Sequence, residues 1–378
     1  MTASLLGTIA LFLLLAGAAF WLAFRRQLQA AWREPVLKTP VLIVESDDWG
    51  YGPLEQAGRL REICALLLKH QDAVGRPAVM TLGVVLGGPD GARIRGGQSL
   101  AYHRMTLADE RLASVREAML DGERAGVFSL QLHGMEHFWP ATLLHASSSD
   151  ASVRAWLKSE APAPTEALPA HLQSRWIDSS RLPSGELPAD EVMTAGRDEA
   201  RAFAAIFGAP PAVAVPPTFV WSVDVERAWS DAGVAVLITP GRRYGSRDGA
   251  GKPQSTDTRI YNGQRSPGGL TYLVRNDYFE PMLGHRAERG LSALAAKAHL
   301  GRPTLLETHR ANFLGDPALV ERALGELDRL LAGARARFPA LRFMSSAELA
   351  RHYAQRSDLI ERNLAPRLRC FARRLASQ

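Results

Sequence analysis

Cysteine is nearly absent. Cys64 and Cys370 are the only two in 378 residues, so the chain has neither a disulfide framework nor a zinc-ribbon spacing, and its cysteines do not fix a compartment. Charge is absent from Ser4 to Phe24, a run of mostly Leu, Ala, Gly, Phe, Ile and Trp long enough to cross about 30 Å of hydrocarbon as a helix. No Lys or Arg precedes this run, as one would in a cleaved signal peptide, whereas Arg25 and Arg26 come directly after it. The expectation is an uncleaved transmembrane anchor over 4–24 and a basic juxtamembrane linker over 25–39, in a bacterial-type inner membrane. Arg25, Arg26, Arg33 and Lys38 favour the cytoplasmic side for the body of the chain, although one short flank leaves the opposite orientation open. Basic residues interleaved with aromatics are also lacking, and the net charge of +6 is modest for this length, so no nucleic-acid partner is expected. An apolar content of 46% excludes wholesale disorder.

Beyond residue 40 the pattern alternates. Short apolar runs at 41–46, 77–85, 127–132, 212–215, 234–239, 270–274, 304–307 and 341–344 read as strands. Segments of helical period separate them at about 54–70, 107–124, 188–207, 287–299 and 317–334. This rhythm predicts an α/β fold, a distorted parallel (β/α) barrel of about seven strands over 40–350, with chemistry gathered at the carboxyl ends of its strands. Two stretches interrupt it. Residues 138–187 are rich in Ala, Ser and Pro and read either as a lid-like insertion or as a disordered one. Residues 240–266, rich in Gly, Arg and Ser, read as an excursion or hairpin. Residues 351–378 form a basic tail whose Arg367, Arg369, Arg373 and Arg374 alternate with Leu368, Phe371 and Leu375; it suits either an anionic leaflet or a solvated helix end.

The polar residues that close these strands carry the chemistry. The first strand runs into Glu45-Ser46-Asp47-Asp48-Trp49-Gly50, the third into His133-Gly134-Met135-Glu136-His137, and a late one into Glu307-Thr308-His309-Arg310. One carboxylate beside two imidazoles is a ligand set suited to a divalent metal, zinc above all, and a second carboxylate is left free to act as a base. Taken singly, an Asp-Asp pair is a common helix cap and a lone histidine a common buried polar group. Their joint order at strand ends is what points to a metal site. Glu136 lies beside the second histidine, which is the wrong place for a helical His-Glu-x-x-His protease motif.

These blocks, together with a Pro216-Pro217-x-x-x-Trp221 segment, resemble the polysaccharide deacetylase family of carbohydrate esterases in order and spacing across about 40–350. The resemblance implies a distorted barrel with Asp47 as base, Asp48, His133 and His137 as metal ligands, and His309 as acid. Val215 stands where that family usually places an arginine steadying the base, so either Arg310 or another basic residue takes that role or the base is tuned differently. Trp49-Gly50 departs from the family's usual Gly-Pro. Trp49, Trp221 and Arg310 are the candidate substrate-binding residues, with Trp139 and Phe219 as further aromatics for a sugar groove. The implied function is metal-dependent removal of N-acetyl groups from amino sugars of a cell-envelope polysaccharide or lipid-linked glycan. The implied partners are an N-acetylated glycan and the membrane. Two alternatives remain open: an inactive glycan-binding or scaffold barrel in envelope biogenesis, and an amidase on a small non-sugar substrate.

Overall fold

The computed structural model describes residues 2–97 and 100–377. Its body is a parallel sheet with helices outside it. Strands β1 (Val41–Gly50), β2 (Met80–Val85), β3 (Phe128–Leu132), β4 (Val213–Ala214), β5 (Val236–Thr239), β8 (Thr271–Val274), β9 (Asp277–Tyr278) and β10 (Thr304–His309) lie in the order β8-β5-β4-β3-β2-β1-β10-β9. A further short strand, Arg342–Phe343, pairs with β1. A hairpin of β6 (Arg242–Arg247) and β7 (Pro253–Arg259) stands apart as the excursion expected within 240–266. Every residue of β1 and β2 is buried, as apolar runs covered on both faces require.

The two edges of this sheet, β8 and β9, are consecutive in sequence. Arg275 and Asn276 alone bridge them: Arg275 N donates to Thr239 O at 2.9 Å and Asn276 N to Leu305 O at 3.1 Å. The sheet is thus a distorted (β/α) barrel drawn shut by two residues rather than by a hydrogen-bonded seam. Strand β9 has no counterpart in the sequence reading, because two residues are too few to leave a period.

Residues 138–187 fold. Helices Pro140–Ser149 and Ala151–Leu157 enclose a core of their own around Phe138, Leu143, Val153, Trp156, Leu157, Leu168 and Leu172. The insertion is tied to the barrel by Arg310, whose guanidinium reaches Glu166 at 2.7 Å and the Tyr51 carbonyl at 3.0 Å.

Among the described residues one helix, Thr2–Arg33, contains a stretch long and apolar enough to cross a membrane; the apolar window within Gly7–Arg33 has a mean hydropathy of 2.1 and is wholly exposed. The expected linker is not a separate segment. The helix continues unbroken to Arg33, and Ala31, Glu34, Val36 and Leu37 are buried against the body. The cause lies in the tail, described as far as Ser377. Helix Leu364–Ala376 packs on the end of the long helix, with Phe371 edge-on to Trp32 and Arg367 over the Trp32 ring. Arg374 is fully buried and donates to the carbonyls of Ala31, Glu34 and Pro35 and to those of Leu300 and Gly301. These carbonyls lie at two helix ends, where the helix itself leaves acceptors over, and one guanidinium with five donors can serve them together; the Gly301 carbonyl also accepts the Leu37 N–H at 2.9 Å. Arg374 is therefore a structural clamp rather than a leaflet-facing charge.

Candidate metal centre and its surroundings

Asp47 and Asp48 reach the barrel mouth through an irregularity in β1. Its pairing with β2 shifts register between Ser46 and Trp49, and Asp48 adopts a positive φ of 71°. A bulge of this kind re-aims side chains at the end of a strand, and a non-glycine residue in the left-handed region costs on the order of 1–3 kcal/mol that neighbouring contacts must offset. Both carboxylates turn toward the site. Across the ladder only glycine fits, since a Cβ on Gly83 would stand 2.2 Å from Asp47 Oδ1.

His133 and His137 flank a tight loop after β3. Gly134 has φ 94°, and a side chain there would meet the Glu136 carbonyl at 2.7 Å. Behind the loop, buried Arg175 bridges Glu136 and Glu199 at 2.7 Å each, and Glu199 accepts the Met135 N–H at 2.9 Å. Glu136 thus positions the loop and faces away from the reacting groups.

Asp48 Oδ1 lies 3.4 Å from His133 Nε2 and 3.3 Å from His137 Nε2, and all three ligand atoms fall within 4.8 Å of one another. Among the described residues Asp48 Oδ1 is buried without a hydrogen-bond partner. The His133 ring sits with Nδ1 2.9 Å from the Val215 carbonyl, which holds a proton on Nδ1 and makes Nε2, the nitrogen facing Asp48, the atom that would ligate an ion. Burial holds the His137 pKa down to about 4, so its imidazole is neutral near pH 7, the form that ligates metal. Burial opposes ionisation of Asp48, yet the His137 and His133 rings beside it keep its carboxyl well below the usual range. An orphaned carboxylate oxygen and two oriented imidazole nitrogens fit a divalent cation.

Asp47 has a different environment. Arg275 grips it bidentately, Nη1 to Oδ2 at 2.5 Å and Nη2 to Oδ1 at 2.8 Å, and reaches Glu45 through Nε at 2.7 Å. Glu45 is held on its other side by the Ser346 hydroxyl, and the guanidinium lies over the Phe219 ring. Burial pushes Asp47 up, but Arg275 outweighs it and keeps the carboxyl ionised below its usual range.

His309 ends β10. Its Nδ1 is 2.7 Å from Glu280 Oε1, its Nε2 is 3.6 Å from Glu307 Oε1, and its side chain is 37% exposed. Burial alone would lower its pKa, but the Glu280 hydrogen bond and the Asp48 charge raise it to about 10, so the ring is a cation at neutral pH. Glu280 is oriented in turn by Asn312. Asp47, Asp48, His133, His137 and His309 all line one cavity of about 520 Å³, together with Phe219, Tyr278, Glu280, Met282 and Glu307, and with Glu166 and Gln173 reaching over from the insertion.

Three expected substrate residues lie elsewhere. Trp49 is fully buried, its Nε1 bonded to Ser46 at 2.8 Å, because the bulge that turns both aspartates outward turns the next residue into the core. Trp221 is 1% exposed and donates to buried Glu226 at 2.8 Å. Arg310, also 1% exposed, holds the insertion through Glu166 and does not touch Asp47. Of the aromatics proposed for a groove, Phe219 lines the cavity, whereas Trp139 lies outside it. Arg275 and Glu280 were not anticipated. Arg275 directly follows an expected strand at 270–274, the same signal that singled out Asp47 and His309.

No family model and no curated protein matches the chain. Solved structures similar to it include a Mycobacterium smegmatis protein described as a polysaccharide deacetylase, at 13% identity over 87% of this chain and 99% of that one, TM-score 0.43. Another is a family 4 carbohydrate esterase from Streptomyces lividans in complex with acetate, at 11% identity over 83% and 96%, TM-score 0.37. A third is a 4-alpha-glucanotransferase from Thermococcus litoralis, at 9% identity over 85% and 41%, TM-score 0.45. At identities this low, the chemistry is decided by the side chains themselves.

Proposed function

We propose that the chain is a metal-dependent hydrolase that removes N-acetyl groups from amino sugars of a cell-envelope polysaccharide or lipid-linked glycan, held to the membrane by its N-terminal helix. The observation that carries this reading is the convergence on one cavity of a two-imidazole, one-carboxylate cluster, a clamped carboxylate and an imidazolium. Asp48, His133 and His137 would hold the ion, most simply zinc, and such an ion supplies acidification of a water and polarisation of an amide carbonyl.

The chain's own groups do the rest. Asp47 accepts a proton from the attacking water; with one lone pair on each oxygen engaged by Arg275, the other pairs remain free for it. Its lowered pKa keeps it ionised at neutral pH, in the form that can accept a proton. His309 delivers a proton from Nε2 to the departing nitrogen, a poor leaving group until protonated, while Glu280 stabilises the charge on the ring. Phe219 and Met282 exclude water around the acyl carbon.

A second reading is favoured by one observation. A cavity of about 520 Å³, lined in part by Glu166 and Gln173 of the insertion, is within the size range of small-molecule pockets, so a compact N-acyl substrate fits it without the insertion moving. Acetate release from N-acetylated monosaccharides and from oligosaccharides of rising length decides between them. Turnover rising with chain length supports the glycan, turnover confined to the smallest amides supports the second reading, and no turnover by zinc-loaded protein on any of them contradicts both. Asp47→Asn keeps metal and loses rate if Asp47 is the base.

A further inference from the structure

A cluster of positive charge lies away from the catalytic groups, where the polar end of the long helix faces the β6–β7 hairpin. Arg26 and Arg33, seven residues apart on one helix face with Ala30 between them, stand opposite Arg242 and Arg259 of the hairpin and Arg265 of the loop beyond it. Together they line a cavity of about 1060 Å³. Arg242 and Arg259 are direct cross-strand partners, and like charges placed so in an antiparallel pair destabilise it. Among the described residues no carboxylate forms an ion pair with any of the five. The acidic residue of the adjoining smaller cavity, Glu34, is already engaged by Arg302 at 2.8 Å and Asn262 at 2.9 Å.

Five guanidinium groups around a cavity, two of them opposed at a cost to the hairpin, call for an anion with several acceptor oxygens. Guanidinium forks match phosphate geometry. The first of these arginines lies two residues beyond the apolar run that ends at Phe24, so in a spanning helix the cavity opens at the depth of lipid headgroups. We propose that this cavity binds the phosphate of an anionic lipid headgroup. The phosphate chemistry stands whether or not the chain is a hydrolase; the lipid source rests on the helix spanning a membrane.

The test uses the full chain in a non-ionic detergent. Native mass spectrometry measures retention of dioleoylphosphatidic acid against dioleoylphosphatidylcholine, and calorimetric titration with pyrophosphate measures the soluble alternative. The expected result is one phosphatidic acid retained per chain in preference to phosphatidylcholine, reduced about tenfold or more in R242Q/R259Q. Exposed Arg201, paired with Asp198 on a distant helix, supplies the control R201Q, which keeps it. R242K/R259K retains more lipid than R242Q/R259Q. If the hairpin variant does not fold, R26Q/R33Q removes the opposite wall and shows the same loss. A loss no greater than in R201Q, or no preference for phosphatidic acid, overturns the proposal. Pyrophosphate binding without lipid retention overturns the headgroup assignment.

Discussion

Replacing Arg275 with Met tests the link between fold and chemistry, because this residue closes the barrel and clamps the proposed base at once. The guanidinium makes two hydrogen bonds to Asp47 and one to Glu45, both carboxylates being buried. Its removal leaves uncompensated buried charge, for which a loss of about 3–5 kcal/mol is typical. With an unfolding entropy of about 2.1 cal/mol/K per residue, this corresponds to a fall in Tm of roughly 4–7 °C for a body of this size. The pH dependence gives a sharper signature. In the wild type the Asp47 pKa is depressed, so the stability it lends is in place above the ordinary carboxylate range and is lost only as pH falls through the lower folded value. In Arg275→Met burial is no longer outweighed, the pKa rises, and the ionised form becomes the disfavoured one. Stability should then fall as pH rises from 5 to 8, and the acidic limb of acetate release should move upward, with zinc content unchanged. Differential scanning calorimetry across that range, paired with the rate profile, measures both. Wild-type Tm and an unmoved acidic limb in Arg275→Met would refute the reasoning.

Other perturbations separate the remaining roles. His309 is raised to about 10 chiefly by its Glu280 hydrogen bond, so the stability from this pair is fully present below the ordinary histidine value and is lost as pH rises toward 10; Glu280→Gln should bring the alkaline limb of turnover down by at least about one pH unit, and an unchanged limb removes Glu280 from the account. Gly83→Ala places a methyl group against Asp47 and should reduce turnover at least tenfold while metal analysis shows full occupancy; wild-type turnover would mean that the Asp47 position is not critical. Arg374→Ala frees five carbonyl contacts at two helix ends, and should make the segment around Arg33 a site of limited proteolysis and destabilise the fold by about 2–4 kcal/mol; unaltered protease resistance would show that the clamp is dispensable.

Much of the barrel was legible because buried parallel strands are continuous apolar runs and their helices carry a 3.6-residue period; the helix expected near 287–299 is Ala287–His299. The candidate metal ligands and the residues proposed as base and acid were singled out as the polar residues that end those runs, and they line one cavity. What escaped depended on departures from regular pattern. The bulge at Asp48 reverses the side on which Trp49 lies, and an alternation count passes smoothly over it. Arg275 serves Asp47 across 228 residues of sequence, and the stagger that brings them together is a property of the closed sheet. The fixed end of the long helix was likewise hidden, because a basic tail has the same composition whether its arginine is solvated or caps two helices.

The central claim is that Asp48, His133 and His137 grip one ion. Anomalous diffraction at the zinc edge, on crystals of the full chain grown with zinc, tests it most directly. The account predicts a single strong peak at about 2.0–2.2 Å from a carboxylate oxygen of Asp48 and from Nε2 of both histidines, lost in His137→Ala. No peak among these side chains, in protein whose fold is intact, would contradict it.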